Sequence, residues 1–146
     1  MKDLVFKILG YWSGYFGIAL LGVVPLHAQS SGTSRPEWVA PAAANNLKDP
    51  FSGNPGAIAE GKQLFKTMCV ICHGETGKGN GVAGVTLVPH PANFLSAKVR
   101  AESDGALFWK MTEGNAPMAS YKTILTEDQR WKLVSYIRDL QKNNIK

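Results

Sequence analysis

Both cysteines of the chain stand in one five-residue run, Cys69-Val70-Ile71-Cys72-His73, and this run limits the fold more than any other feature. The two thiols sit one helical turn apart and can add to the two vinyl groups of a haem, while the adjacent imidazole reaches the iron as its first axial ligand. Three residues therefore fix one cofactor, a single haem attached through Cys69 and Cys72. The alternatives are a redox-active dithiol, half of a zinc site and a structural disulfide. Zinc needs about four ligands, and outside the motif the chain offers no third Cys and only His27 and His90. A thioredoxin-like dithiol would open a helix after a strand in a βαβ pattern, and no such pattern is present. No disulfide framework remains to be built. At 146 residues the chain suggests one domain with the haem as a large share of its core, and the apo-protein is expected to be poorly folded.

The N-terminus reads as an export signal over residues 1–28. Lys2 and Lys7 precede an apolar, aromatic stretch from Ile8 to Leu26, and Leu26-His27-Ala28 puts a small residue before a cut ahead of Gln29. The competing reading is an uncleaved membrane anchor, because Leu4 to Leu26 is about as long as a bilayer span requires. Four glycines and Ser13 weaken that span. Either way the domain is expected outside the cytoplasm, periplasmic or tethered to the membrane by this segment. His27 belongs to the segment and is not expected to be a ligand.

Residues 29–53 are rich in Ser, Ala, Pro, Gly and Asn without a sustained apolar period, which marks a linker or extended arm. Phe51, beside Pro50, is expected to lie on the arm's own domain. Trp38, between Pro36 and Pro41, has no assignment.

The domain proper is expected over residues 54–146. A first helix should run from Pro55 to Met68, with Ile58, Gly61, Leu64, Phe65 and Met68 on one face. Glycine inside a helix costs roughly 1 kcal/mol relative to alanine, so Gly61 points to close approach of another helix. The last helix is that partner: Thr126-Glu127-Asp128-Gln129 has the form of a capping box, and Leu133, Val134, Ile137 and Leu140 follow as a stripe flanked by Trp131 and Tyr136. Gly61 and Phe65 are expected against Val134, Tyr136 and Ile137. A further helix, from about Ser103 to Glu113 and stopped by Gly114, presents Leu107, Phe108 and Met111 to the core.

Helix, haem motif, the glycine-rich run Gly74-Glu75-Thr76-Gly77-Lys78-Gly79-Asn80-Gly81, a middle helix, Gly114-Asn115-Ala116-Pro117-Met118 and the terminal helix from Trp131 to Leu140 together resemble a single-haem class I c-type cytochrome over residues 54–146. Many relatives carry Asp where this chain has Asn80, and Pro where it has Ala119; neither change touches a ligand. The resemblance implies an all-α fold, a small cytochrome c fold of three to five helices wrapped around one haem, with the N- and C-terminal helices packed across each other.

Met118 matches the family's second axial ligand. The other methionines suit the role less: Met1 goes with the signal, Met68 directly precedes Cys69 and cannot easily reach the opposite face of the ring, and Met111 shares helical spacing with Leu107 and Phe108. His90 is the competitor, but Val88-Pro89-His90-Pro91 resembles the family's proline-rich strap over the haem. In the family a proline carbonyl on that strap accepts the second N–H of the ligating imidazole; Pro89 is the first candidate here and Pro91 the second. Leu87, Phe94, Leu95, Phe108, Trp109 and Tyr121 are candidates for the haem wall or a propionate hydrogen bond, alongside ordinary core packing.

Ligation by His73 and Met118 would leave no open position on the iron and favour one-electron transfer. Gly77, Gly79 and Gly81 invite a phosphate-loop reading, but they follow a haem motif rather than a strand. Without Lys2, Lys7 and Asp3 of the signal the chain keeps 14 basic and 10 acidic residues, a net +4. The excess gathers in Lys122, Arg130, Lys132, Arg138, Lys142 and Lys146, a rim that suits an acidic redox partner or an anionic membrane, though solvated side chains on an exposed helix explain most of it. Nucleic acid is not an expected partner, and the domain is expected to be monomeric. Three classes follow: a soluble or tethered carrier in a respiratory chain; a permanent haem subunit of a larger oxidoreductase, docked through Trp38 and the arm; and a five-coordinate haem enzyme or gas sensor, which requires that Met118 not ligate.

Overall fold

The computed structural model describes residues 36–144, so the export-signal reading of residues 1–28 lies outside the described residues. Five helices carry the fold there: α1 (Pro55–Met68), α2 (Val70–His73), α3 (Ala97–Arg100), α4 (Asp104–Glu113) and α5 (Glu127–Asn143). Two short 3-10 turns, Ala42–Asn46 and Gly84–Thr86, accompany them, and no strand is present among the described residues. The fold is all-α, as the sequence requires.

Local chemistry sets the helix ends. Asn54 caps α1, its side chain accepting from the amide of Ala57 at 3.1 Å, and Pro55 fills the first helical position. Ser103 caps α4 by accepting from Ala106 at 3.0 Å, and Gly114, at φ 70°, ends it in a backbone state that favours glycine. The capping box of α5 is formed in both directions: Thr126 accepts from the Gln129 amide at 3.2 Å, and the Gln129 side chain accepts from the Thr126 amide at 2.9 Å.

The core is the crossing of α1 and α5. Phe65, Leu133 and Val134 are the largest fully buried side chains, and Phe65 meets Tyr136 with ring centres 5.2 Å apart. Gly61 explains the close approach: a Cβ there would lie 2.0 Å from the Lys132 carbonyl oxygen and 3.0 Å from the Tyr136 Cβ. Leu107, Phe108 and Met111 of α4 complete the core, with Phe108 stacked on Trp131 at 4.0 Å.

The described part of the arm packs on the domain. Ala44, in the first 3-10 turn, approaches α4 so closely that a Cβ on Gly105 would sit 1.9 Å from its carbonyl oxygen. Ala40, Ala44 and Ala106 form a small second cluster bordered by Trp109. Phe51 joins the main core, and buried Asp49 accepts from the Ser135 hydroxyl of α5 at 2.5 Å. Trp38 lies against Trp109 at 6.4 Å, with the Lys110 ammonium 5.4 Å from its ring centre. Trp38 is thus engaged by its own domain.

Of the basic residues near the C-terminus the fold engages Arg130, Lys132 and Arg138, whereas Lys122 and Lys142 are exposed. Arg130 is 8% exposed, donates to the carbonyls of Leu125 and Lys122 at 2.7 and 3.1 Å, and lies 5.2 Å from the Phe108 ring centre. Arg138 pairs with Asp104 at 2.6 Å, and Lys132 with Glu60 at 2.6 Å.

Candidate functional site: the Cys69–His73 turn

Cys69 ends α1 and caps the single turn of α2, whose last residue is His73. The amides of Cys72 and His73 both donate to the Cys69 carbonyl, at 3.2 and 2.8 Å, which winds the motif into one helical turn with both thiols free and half-buried. A turn this short leaves its carbonyls without helical partners. The glycine-rich segment supplies them: Ala83, Gly81 and Gly79 donate to the carbonyls of Ile71, Cys72 and His73 at 2.9, 3.1 and 2.9 Å. The Gly77 amide donates to the Gly74 carbonyl at 3.0 Å, so all three glycines of the phosphate-loop reading spend their amides within the protein. The fit tolerates no side chain. A Cβ at Gly81 would lie 2.4 Å from the Val70 oxygen, and one at Gly84 would lie 2.1 Å from that of Cys72.

His73 is 8% exposed. Its Nδ1 lies 3.3 Å from the carbonyl oxygen of Ala92, which can only accept, so Nδ1 carries the hydrogen and Nε2 keeps a free lone pair. Burial holds the imidazole below its ordinary pKa, against the smaller opposing pull of the Ala92 carbonyl. The ring is a neutral donor, the form a metal needs. Phe94 stacks on it with centres 4.4 Å apart and planes 15° from parallel.

Burial, and then the neighbouring Cys72, push the Cys69 thiol up to about 12. A catalytic dithiol needs the opposite shift in its attacking thiol, toward a thiolate at neutral pH, so Cys69 does not suit that role.

Met118 is presented by a tight turn in which Asn115 and Met118 exchange both backbone hydrogen bonds at 3.0 Å. Ser120 closes the turn from behind, its hydroxyl donating to the Thr112 carbonyl at 2.6 Å. Met118, Tyr121, Cys69, Val70 and Phe94 all border the main core, half-buried. Tyr121 also crosses the motif: its hydroxyl donates to the Met68 carbonyl at 3.2 Å, and its pKa is raised first by burial and then by Cys69 and Cys72. Met111, by contrast, is buried in the core.

Several candidates fall elsewhere. The carbonyl facing His73 belongs to Ala92, not to Pro89 or Pro91; Pro89 and His90 are exposed. Trp109 meets Trp38 and the alanine cluster beside the arm. Leu87 is half-buried on the strap, and Phe108 is occupied by Trp131. Ala92 could not have been found from its side chain, because a backbone carbonyl leaves no mark on residue type. A cleft of about 590 Å³ opens beside α2, lined by Lys66, Thr67, Val70, Ile71, Glu75 and Val82 among others; it includes neither thiol, nor His73, nor Met118.

The family model for cytochrome c matches residues 58–141, which contain the whole of this arrangement. The chain belongs to the cytochrome c family. Among solved structures it is similar to a chain of the reducing HAO-like protein complex of Kuenenia stuttgartiensis, at 27% identity and a TM-score of 0.56. The match covers 66% of this chain and 48% of that one, so this cytochrome c domain corresponds to about half of its structural relative. No curated protein matches the chain. Membership of the cytochrome c family implies haem c, and the donor set fits it: two unpaired thiols one turn apart and a neutral imidazole held by its far nitrogen.

Proposed function

We propose that this cytochrome c domain carries one electron at a time on a single haem c, attached through Cys69 and Cys72 and ligated by His73 and Met118. The observation that carries the reading is His73: buried, neutral and oriented through Nδ1, with Nε2 left free. Bound there, haem would supply an iron that changes oxidation state by one electron. The chain's own residues do the rest. Cys69 and Cys72 would hold the group on α2, the Ala92 carbonyl raises the donor strength of His73, and the closed Asn115–Met118 turn fixes the backbone that presents the thioether. The core and Tyr121 limit water at the thiol side. Two axial side-chain donors disfavour binding of oxygen or peroxide and favour outer-sphere transfer, and the thioether raises the reduction potential relative to a second imidazole.

The compartment that fits covalent haem and the export-like residues 1–28 is the periplasm, with the protein free or tethered at the membrane. Its partners are other redox proteins. A second reading, a permanent haem subunit of an oxidoreductase, is favoured by the likeness to a chain drawn from a redox protein complex; docking through Trp38 is not, because that ring is engaged by Trp109 and Lys110.

The deciding experiment compares optical spectra of the wild type and Met118→Ala, both made with haem-attachment machinery. The weak long-wavelength band that marks methionine–iron bonding is expected in the oxidised wild type and lost in the variant, which should also bind carbon monoxide rapidly when reduced. A wild type without the band, or a variant that keeps it, would remove Met118 from the iron and move a ligand-binding role ahead of electron transfer.

A further inference from the structure

We propose that Gln141, at the far end of α5, is a positioning residue for the iron ligand His73. Its amide fixes the strap that carries the Ala92 carbonyl; the proposal rests on haem ligation by His73.

Gln141 is a buried polar side chain, 5% exposed, and both ends of its amide are committed. Its Oε1 accepts from Arg138 at 2.8 Å, and its Nε2 donates to the Phe94 carbonyl at 2.8 Å. A guanidinium only donates and a carbonyl only accepts, so the amide has one possible orientation. Arg138 is itself fixed, by Asp104 at 2.6 Å and by the Glu102 carbonyl. A line of hydrogen bonds thus runs from α4 through α5 to the backbone of residue 94.

That backbone is where His73 is oriented. The Phe94 ring stacks on the imidazole, and the carbonyl two residues earlier, on Ala92, takes its Nδ1–H. Ala92 is exposed, so its carbonyl is placed by what anchors its neighbours. Three bonds do so. The Phe94 amide donates to Gly77 at 2.8 Å, Gln141 donates to Phe94, and Arg100 donates through Nε to the Leu95 carbonyl at 2.9 Å. Arg100 also donates to the Gln141 carbonyl at 2.6 Å, which makes Gln141 the point where the anchors meet. At 3.3 Å the His73–Ala92 contact lies just beyond the usual range of an N–H···O bond, about 2.7–3.2 Å. A shift of a few tenths of an ångström at the strap decides whether the bond exists.

An imidazole that donates its far N–H is a stronger donor to a metal, which favours the oxidised iron. Releasing the strap should weaken that donation and raise the reduction potential. The test uses the full-length haem-loaded protein as wild type, as Gln141→Met, which keeps length and removes the amide, and as Leu133→Ala, a control in the core of α5 about two turns before Gln141. Two quantities are read: the reduction potential, and solvent exchange of the His73 Nδ1–H by NMR. In Gln141→Met the reduced-to-oxidised ratio at a fixed ambient potential should rise about threefold, ~28 mV at about 59 mV per tenfold for one electron, and exchange should quicken about tenfold or more. Leu133→Ala should lower the melting temperature and change neither. Wild-type exchange and potential in Gln141→Met, with only stability lost, would reduce Gln141 to a structural residue and overturn the proposal. If Gln141→Met does not accumulate, Gln141→Glu keeps the Arg138 partner without the donor and is read by exchange alone, because its charge itself moves the potential. The wild-type spectrum separates the two readings: no haem-bound His73 there refutes the ligand assignment, whereas an intact spectrum with unmoved readouts refutes the role of Gln141.

Discussion

Tyr136 shows how one residue couples the core to pH. Its ring is buried against Phe65, and its hydroxyl pKa is raised, first by burial and then by the carboxylates of Asp139 and Glu75. The folded state thus holds the phenolic proton more tightly than the unfolded chain does. This contribution to stability is full below the ordinary tyrosine value of about 10 and is lost as pH rises through the higher folded value. Denaturant titrations between about pH 8 and 11 should show the wild type losing more stability than Tyr136→Phe, whose ring cannot ionise; equal alkaline losses would mean the phenol does not sense the fold. Legibility at this scale follows side-chain chemistry. Cys69, Cys72 and His73 announce themselves because few residue types do what they do, and Met118 stands out as a methionine outside a helical stripe. Ala92 is not legible because its carbonyl makes the contact, whereas the ring of Pro89 distinguishes that residue in the sequence. Gln141 was equally silent, since a lone glutamine near a C-terminus reads as solvated surface until Phe94 and Arg138 are placed beside it.

Among the elements, the contact between α1 and α5 is the one on which the others depend, and Gly61 is where it can be tested. Two effects oppose each other in Gly61→Ala. Alanine gains roughly 1 kcal/mol of helix propensity over glycine. Its Cβ, however, would lie 2.0 Å from the Lys132 carbonyl oxygen, and backbone cannot swing aside as a flexible side chain can. Overpacking costs about 1–3 kcal/mol, occasionally more, and a clash this close with backbone belongs at the upper end, so the net effect should be a loss of about 2 kcal/mol with a lower melting temperature. A variant as stable as the wild type or more so would mean that α1 and α5 can separate without cost. The sequence exposed this crossing because an amphipathic stripe, a capping box and a misplaced glycine all pointed to it. The arm was not legible in the same way. The turn Ala42–Asn46 is built from alanines and asparagines without a stripe, and it is held by contacts distant in sequence: Ala44 on Gly105, the Asn45 side chain accepting from the Ser103 hydroxyl at 2.7 Å, and Asp49 on Ser135. The one-turn α3 escaped for a related reason, because four residues are too few to show a period.

For the molecule as a whole the proposed haem would be part of the interior. The two clusters of buried side chains are modest, and the larger is bordered on the motif side by half-buried Met68, Cys69, Val70, Phe94, Met118 and Tyr121. A domain of this size buries a smaller share of its chain's surface than a large one and has little stability in reserve. Contacts and ligation that a group makes only in the folded state favour that state, and the proposed thioether bonds would keep the haem at hand for them. The double variant Cys69→Ala/Cys72→Ala, which removes attachment while leaving α1, α5 and both caps in place, separates the two sources of stability. The capping box and the α1–α5 crossing should still give partial helix by circular dichroism, because those interactions are made between protein groups. Without the group, the strap and the Asn115–Met118 turn lose what they close upon, so near-ultraviolet signals should fade and heating should give a broad, weakly cooperative change. A sharp transition close to that of the haem-loaded wild type would show that the protein side chains alone complete the core, and that the haem sits on the fold rather than within it.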